Sequence, residues 1–94
     1  MRVVWSPLAL DRVNEISDYI ARENVSAAKR WVDSLFIKTK RLEKFPQSGR
    51  AVPETQRLSI REIIYGNYRV IYRISRDQIA ILTIRHGRQD LPKP

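Results

Sequence analysis

The sequence of 94 residues contains no cysteine, three glycines and a single histidine, His86. Without cysteine the chain can form neither a disulfide framework nor a thiolate metal site, and a lone histidine argues against structural zinc. Neither a glycine-rich phosphate-binding loop nor a nucleophile elbow is present. We therefore expect no metal ion and no cofactor.

Long apolar runs are also absent. No stretch approaches the roughly 20 residues that a membrane-spanning helix needs. The first residues, in which Ser6-Pro7 follows Trp5, lack the apolar core of a signal peptide. These absences predict a cytoplasmic protein with no membrane partner, and the hydrophobic fraction of 43% is typical of a globular chain.

Positive charge is what the sequence has in excess. Eighteen lysines and arginines against ten acidic residues give a formal net charge of +8. A charge of this size on a small chain favours binding to nucleic acid, to a ribosome or to an acidic protein. The alternative interpretation is a basic surface that serves only solubility.

The first half of the sequence begins with a helical pattern. Ser6 fits the N-cap and Pro7 the first position of a helix over about residues 7–23. Apolar residues recur on one face of this helix at helical spacing: Ala9, Val13, Ile16 and Ile20.

A second helix follows a tight connection at Asn24-Val25. Ser26 can cap this helix, and Phe45-Pro46 stops it, because the residue before a proline disfavours helical geometry. So short a connection predicts that the helices form an antiparallel hairpin.

The second half of the sequence changes to strand patterns. In addition to a short strand at residues 2–5, strands are predicted at 58–65, 68–74 and 79–86, with an irregular loop at 51–57. Over 68–74 the side chains alternate, with Tyr68, Val70, Tyr72 and Ile74 on one face and Arg69, Ile71 and Arg73 on the other.

The predicted order of elements is therefore β-α-α-β-β-β. Polar turns at Gly66-Asn67 and at residues 75–78 predict two sequential hairpins. We expect an α+β fold in which the helical hairpin packs on one face of an antiparallel sheet. The strand at 79–86 is mostly apolar and should be an inner strand. Residues 1–94 should form a single domain.

Arginines dominate the strand half, which contains no lysine between residues 57 and 88. Arg69 and Arg73 share a strand face, and Arg61 and Arg85 can lie near them if the register allows it. Arginine is suited to bidentate recognition of phosphate or carboxylate groups, so these residues are candidates for a binding patch. Alternatively, their aliphatic stems cover a solvent-facing sheet surface.

His86 is the candidate for acid–base chemistry. Beside arginines that stabilise phosphate charge, a histidine can protonate the leaving oxygen when a 2′-hydroxyl attacks the RNA backbone. Alternatively, His86 caps the strand end through hydrogen bonds. Tyr65, Tyr68 and Tyr72 can stack on bases or can be half-buried core residues.

Five segments, taken in this order and in a chain of this length, resemble the RelE/ParE superfamily of toxins from bacterial type II toxin–antitoxin systems. They are WSPLA (5–9), ISDYIA (16–21), FPQSGR (45–50), GNYRVIYRI (66–74) and ILTIRHGRQ (81–89). The resemblance implies a RelE/ParE-like fold, a plasmid-stabilisation type of role and a dedicated antitoxin. A surface of +8 is suited to an acidic, partly disordered antitoxin that folds on binding to form a hetero-oligomer.

The helical hairpin and the His86-Gly87-Arg88 ending look more like the ParE branch than the RelE branch. The ParE resemblance implies inhibition of DNA gyrase by protein–protein contact, without catalysis. The residues predicted to bind the target or the antitoxin are Arg61, Arg69, Arg73, Arg85, His86 and Arg88.

Two alternatives remain open from the sequence. The RelE resemblance implies a ribosome-dependent mRNA endonuclease, in which the catalytic residues would be Arg61, Arg69, Arg73 and His86. A non-toxic basic nucleic-acid-binding module is the third hypothesis, and its binding would depend steeply on salt concentration.

Overall fold

In a computed structural model of the chain, which describes residues 1–87, a helical hairpin packs on a sheet. The helices are α1 (Pro7–Ala21) and α2 (Val25–Lys40), and a 3-10 turn at Arg41–Glu43 follows α2. The strands are β1 (Arg2–Trp5), β2 (Arg50–Ala51), β3 (Ile60–Tyr65), β4 (Tyr68–Ile74) and β5 (Gln78–His86). The predicted α+β class is confirmed.

The helix caps agree with the sequence at α1 and differ at α2. The Ser6 hydroxyl accepts a hydrogen bond from the Ala9 amide at 3.0 Å, as expected of an N-cap. The prediction of Ser26 as the second cap is wrong. Asn24 has extended backbone, and its side chain accepts from the Ala27 amide at 2.9 Å, so α2 begins one residue later, at Val25. Asparagine is as good an N-cap as serine, and capping at Asn24 lengthens the helix.

The sheet has the strand order β1-β5-β4-β3-β2 within the part of the chain that the structure describes. The strands from β2 to β5 are antiparallel, as predicted, but β1 pairs with β5 in parallel, from Arg2 with Gln78 to Trp5 with Ile81. The expectation of a purely antiparallel sheet is thus corrected to a mixed sheet. The crossover through both helices separates β1 from the later strands, and a connection of that length allows a parallel pair.

The short strand β2 was expected to be turn and loop. It pairs with β3 through Arg50 with Glu62 and Ala51 with Arg61. The prediction of β5 as an inner strand is correct, because β1 and β4 flank it.

The hydrophobic core lies between the helices and one face of the sheet, here called the helix face. It is formed by Ala9, Val13, Leu35, Leu42, Val70, Tyr72, Ile79, Ile81 and Ile84. A smaller cluster lies on the opposite face, here called the second face, where Val52 packs with Ile60 and Ile71. The predicted alternation of β4 is confirmed, since Val70 and Tyr72 belong to one cluster and Ile71 to the other.

A register shift in the β4–β5 pair changes the face to which the side chains of β5 point. Ile71 pairs with Thr83 and Tyr72 pairs with Ile81, so Leu82 is the extra residue of a bulge. Leu82 packs against the second-face cluster.

Candidate functional site

Arg69, Arg73 and Arg85 come together on the second face of the sheet. Arg69 and Arg85 are direct partners in the β4–β5 pair, and Arg73 follows Arg69 by two residues on the same strand face. The predicted grouping of these three residues follows from a register that the sequence could not specify. Arg88, which was also predicted at this site, lies outside the described residues.

Arg61 lies on the helix face instead. It pairs with Tyr72, a core residue, and its guanidinium donates to the Gly49 carbonyl at 2.9 Å. The sheet therefore separates Arg61 from Arg69 and Arg73, because side chains of directly paired residues point to the same face. Arg61 supports the chain segment before β2.

His86 also lies on the helix face, at the end of β5. It pairs with Tyr68, and the two rings meet edge to face with centroids 5.7 Å apart. Arg61 and His86 pair with β4 residues that are four positions apart, Tyr72 and Tyr68, a separation of about 13 Å along a strand. The four residues that the nuclease interpretation requires are thus distributed over both faces of the sheet.

A buried ion network holds Arg69. Its guanidinium binds Glu62 at 2.6–2.8 Å and Glu54 at 2.9 Å, and Glu62 is in turn bound by Arg50 at 2.6–2.7 Å. Arg69 is only 6% exposed and Glu62 is 1% exposed. The hydrogen bond with Glu54 and the attraction of Glu62 raise the pKa of Arg69 above its ordinary value, against the opposing effect of burial. Arg69 is therefore a fixed cation with two carboxylate partners.

Sequence reasoning identified neither Glu62 nor Glu54 as a residue of this site. Glu54 lies in the segment that was predicted to be irregular loop, and there was no periodicity to place it. Glu62 could have been found from the alternation of β3, which puts it on the same face as the β4 arginines once the hairpin at Gly66-Asn67 sets the register.

One accessible part of the second face is a basic surface along β5, here called the basic sheet surface. It is formed by Arg73, Ala80, Leu82, Thr83 and Arg85. Arg73 is exposed, while the other four residues are half-buried. Small and medium side chains flanked by arginines are suited to contact with a protein surface.

His86 lines a separate cleft between α1 and the sheet, with a volume of about 430 Å³. The cleft is lined by Arg12, Glu15, Ile16, Tyr68, Ile84, Arg85 and His86. Arg12 and Glu15 form an exposed ion pair at 2.7 Å. The cleft therefore combines a histidine with a carboxylate and arginines, which are groups that can transfer protons and bind an anion.

Residues 1–87 contain neither a metal-binding cluster nor a membrane-spanning helix. No group of three or more histidine and carboxylate side chains in that range is arranged to hold a metal ion. No helix in that range combines the length and the apolar character needed to cross a membrane.

Comparison with known proteins places these features in a family. A family model described as "ParE toxin of type II toxin-antitoxin system, parDE" matches residues 3–91. The chain belongs to the ParE toxin family. It is also 36% identical over 94 residues to the protein named Putative toxin Y4kP of Sinorhizobium fredii, an alignment that covers 98% of this chain and 94% of that protein.

A solved structure has the same fold as this chain. The structure titled "Chromosomal ParDE TA system from P. aeruginosa" superposes with a TM-score of 0.76 and covers 92% of this chain and 95% of that chain, at 20% sequence identity. The α+β arrangement of a helical hairpin on a mixed sheet is thus shared with a toxin–antitoxin structure. The resemblance inferred from the five sequence segments is confirmed.

Proposed function

We propose that this ParE-family toxin inhibits DNA gyrase by protein–protein contact, without catalysis, and that an antitoxin neutralises it in the cytoplasm. The contact is made by the basic sheet surface, with Arg73 and Arg85 as the principal residues and Arg69 as their buried support. We also propose that Arg61, His86 and Arg88 bind the antitoxin.

The observation that carries the proposal is the division of the arginines and the histidine between the two faces. Cleavage of RNA needs a general acid and a phosphate-binding cation within hydrogen-bond reach of one phosphate. Arg69 and Arg73 lie on the second face, whereas Arg61 and His86 lie on the helix face. This division favours a protein-binding surface over a ribonuclease active site.

The chemistry of the basic sheet surface supports a protein partner. Arginine is enriched among the residues that dominate binding free energy in protein interfaces, because its guanidinium binds carboxylates and packs flat on neighbouring groups. Arg73 is exposed beside the half-buried Leu82 and Thr83, so it combines charge with a partly apolar surrounding.

An acidic antitoxin follows from the net charge of +8. A chain segment that is disordered alone can wrap a basic surface and order on binding, and opposite charge accelerates its association. The toxin and antitoxin would then form a hetero-oligomer, encoded by neighbouring genes.

The test is to produce the toxin without an antitoxin and to assay two activities side by side. These are DNA supercoiling by purified gyrase and cleavage of mRNA on ribosomes. Loss of supercoiling with intact mRNA supports the proposal. Codon-phased mRNA cuts with normal supercoiling contradict it, and so does salt-dependent DNA binding with neither activity, which would indicate a simple nucleic-acid-binding module.

A ribosome-dependent mRNA endonuclease is the second candidate, and the His86 cleft is the observation that favours it. His86 shares this cleft with Arg12 and Glu15, and Arg85 of the second face also lines it, so the cleft holds an acid, a base and cations. On this hypothesis His86→Ala should lower the cleavage rate by about 10²–10⁴-fold while ribosome binding is retained.

A further inference from the structure

The cleft between α1 and the end of β5 is lined by cationic side chains from both elements. Arg12 belongs to α1, whereas Arg85 and His86 are the last two residues of β5. The cleft has a volume of about 430 Å³, which is within the range of pockets that hold small ligands. The proposed gyrase contact uses Arg85 but neither Arg12 nor the interior of the cleft, so this space has no role in that contact.

The Arg12 guanidinium is held by an ion pair that a ligand can displace. Its Nη1 atom donates to both carboxylate oxygens of Glu15, at 2.8 and 2.7 Å, one turn further along α1. The two side chains are 39% and 62% exposed, and an ion pair in contact with solvent contributes little to stability. Glu15 is the acidic residue among the described residues that line the cleft. An anion in the cleft therefore competes with one weakly held carboxylate for Arg12.

Arg85 and His86 can donate to a ligand although each already has a partner within the protein. The His86 ring, for example, meets the Tyr68 ring edge to face, with centroids 5.7 Å apart. A guanidinium has five N–H donors and an imidazole has two ring nitrogens, so a single partner does not use all of them. Arg12, Arg85 and His86 thus line the cleft as three donor side chains from two elements.

A terminal phosphate fits this lining better than a carboxylate or an internal phosphodiester does. It carries nearly two negative charges and three acceptor oxygens, whereas a carboxylate has one charge and two oxygens in one plane. An internal phosphodiester has a single charge and two free oxygens. Three donor side chains match the three oxygens of a terminal phosphate, and arginine binds phosphate oxygens through paired N–H donors. The lining therefore favours a phosphate monoester.

A second, smaller hollow shares Tyr68 and His86 with the cleft. Its volume is about 230 Å³, and its lining includes Gly66 and Asn67 of the turn between β3 and β4. No arginine, lysine or carboxylate side chain is among the described residues that line it. Asn67 is exposed, and its amide offers both a donor and an acceptor, which is the pair of groups that recognises the edge of a nucleobase. The hollow is therefore suited to the uncharged part of a nucleotide.

We propose that the cleft beside His86 binds the terminal phosphate of a nucleotide and that the hollow beside Asn67 holds the nucleoside. Arg12, Arg85 and His86 donate to the phosphate oxygens, and Arg12 exchanges its bond to Glu15 for one to the ligand. Such a phosphate is present on a free nucleoside monophosphate and at the 5′-phosphorylated end of a nucleic-acid strand. The chemistry at the cleft is the same for both sources. The inference goes beyond the proposed function, since it does not depend on the target of the toxin.

The probe is adenosine 5′-monophosphate, titrated into the full-length toxin in phosphate-free buffer. The toxin is used without the antitoxin, because His86 is also among the residues proposed to bind the antitoxin. The NMR signals of Arg12, Arg85 and His86 should change, and the titration gives the dissociation constant. Adenosine, the matched ligand without phosphate, should bind at least about tenfold more weakly. Unchanged signals at these residues up to millimolar nucleotide, or equal binding of adenosine, would overturn the proposal.

Two variants should change the affinity for adenosine 5′-monophosphate in opposite directions. Arg12→Gln removes a guanidinium from the cleft and should weaken binding by about tenfold or more. Glu15→Gln removes the competing carboxylate and should strengthen binding by about two- to fivefold. Arg76→Gln is the matched control, because it removes the same charge at an exposed position before the opposite end of β5, and it should change affinity by less than about twofold.

Equal weakening by Arg12→Gln and Arg76→Gln would overturn the proposal, since the net charge of the chain and not the cleft would then attract the nucleotide. A loss of affinity in Glu15→Gln would overturn it as well. Asn67→Ala tests the nucleoside position. It should weaken binding of adenosine 5′-monophosphate by about threefold or more and leave binding of inorganic phosphate unchanged. An equal effect on both ligands would contradict the assignment of the smaller hollow.

The source of the phosphate is tested with a short DNA strand that carries either a 5′-phosphate or a 5′-hydroxyl group. If the phosphorylated strand binds more tightly than adenosine 5′-monophosphate, the site takes a strand end, and if it binds more weakly, the site takes a free nucleotide. Equal binding of the two strands, with no preference for the terminal phosphate, would contradict the proposal. These results hold whether or not the toxin inhibits gyrase, so failure of the proposed function is seen separately in the supercoiling assay.

Discussion

Arg69 holds a loop segment against the second face of the sheet. It connects Glu62 of β3 to Glu54 of the segment after β2, so a single guanidinium holds that segment against the sheet. Breaking a buried ion pair by removing one partner is costly, because the other charge is left without compensation. Arg69 consequently contributes to the basic sheet surface as support beneath it.

Glu62→Gln should lower the free energy of unfolding by about 3–5 kcal/mol, since it leaves Arg69 with Glu54 and frees Arg50. Urea denaturation measures this change. The matched control is Glu15→Gln, which breaks the exposed pair with Arg12 and should cost less than about 1 kcal/mol. Similar losses for both variants would show that the buried network is not the stabilising feature described here.

Tyr72 fixes the turn before β2 through its hydroxyl. The hydroxyl accepts from the Gly49 amide at 3.0 Å and donates to the Pro46 carbonyl at 2.8 Å, although the rest of the ring is in the core. A Cβ atom at Gly49 would lie 2.5 Å from the Tyr72 hydroxyl and from the Glu62 carbonyl oxygen, so the close approach requires glycine.

Tyr72→Phe should lower the free energy of unfolding by about 1–3 kcal/mol, because the Gly49 amide and the Pro46 carbonyl lose their buried partner. Tyr19→Phe, at a position that is 68% exposed, is the control and should change stability by less than about 0.5 kcal/mol. A loss no larger than that of the control would contradict this role of the hydroxyl.

The same variant tests the titration of Tyr72. Burial raises the pKa of its phenol above the ordinary value of 10.0, so the folded protein retains this proton to higher pH than the unfolded chain does. The hydroxyl's contribution is therefore complete below about pH 10 and is lost as the pH rises through the folded-state pKa. Urea denaturation at pH 8 and at pH 11 should show the stability difference between wild type and Tyr72→Phe shrinking at the higher pH. A constant difference would contradict the raised pKa.

At the scale of elements, the N-caps have unequal roles. The Ser6 hydroxyl accepts from the Ala9 amide and also donates to the Leu82 carbonyl at 2.9 Å, next to the bulge of β5. Asn24 caps α2 in an exposed position through the Ala27 amide. Ser6 thus joins the start of α1 to the sheet, whereas the Asn24 cap serves α2 alone.

Ser6→Ala should therefore destabilise the protein more than Asn24→Ala does. We expect a loss of about 2 kcal/mol for Ser6→Ala and about 1 kcal/mol for Asn24→Ala, because only the first change also leaves a part-buried carbonyl without its donor. Thermal or urea unfolding of both variants measures the order. Equal losses would show that the bond to Leu82 contributes nothing.

Local patterns in the sequence predicted most of the elements but not how the outer strands pair. The alternation over 68–74 and the Ser6-Pro7 start are decided by neighbours along the chain, and both are confirmed. The parallel pairing of β1 and the existence of β2 depend on where a distant strand lies, and no local period encodes that.

The candidate site, like the fold, was predictable where it depends on local pattern and not where it depends on strand register. Alternation along β4 predicted that Arg69 and Arg73 share one face. Only the strand register shows that Arg85 lies beside Arg69 and that Arg61 lies on the helix face. The burial of Arg69 depends on Glu54, which reaches it from a segment without regular structure.

At the scale of the whole molecule, the proposed function rests on the net charge and on the arginines of the second face. The +8 charge is suited to an acidic partner, and the second face carries Arg73 and Arg85 whereas His86 lies on the helix face. His86 itself points to the helix face, into a cleft against α1 that Arg85 also lines. If the toxin acts by contact at Arg73 and Arg85, as proposed, the chemistry of His86 should be dispensable.

The most direct test is the concentration of toxin that halves supercoiling by purified gyrase, measured for three variants. Arg73→Ala should raise this concentration by about 5- to 150-fold, which corresponds to about 1–3 kcal/mol of binding. Arg76→Ala, the control at an exposed arginine in the following turn, and His86→Ala should each leave it within about threefold. A toxin that leaves gyrase unaffected but cuts ribosome-bound mRNA, and loses that activity in His86→Ala, would contradict the account.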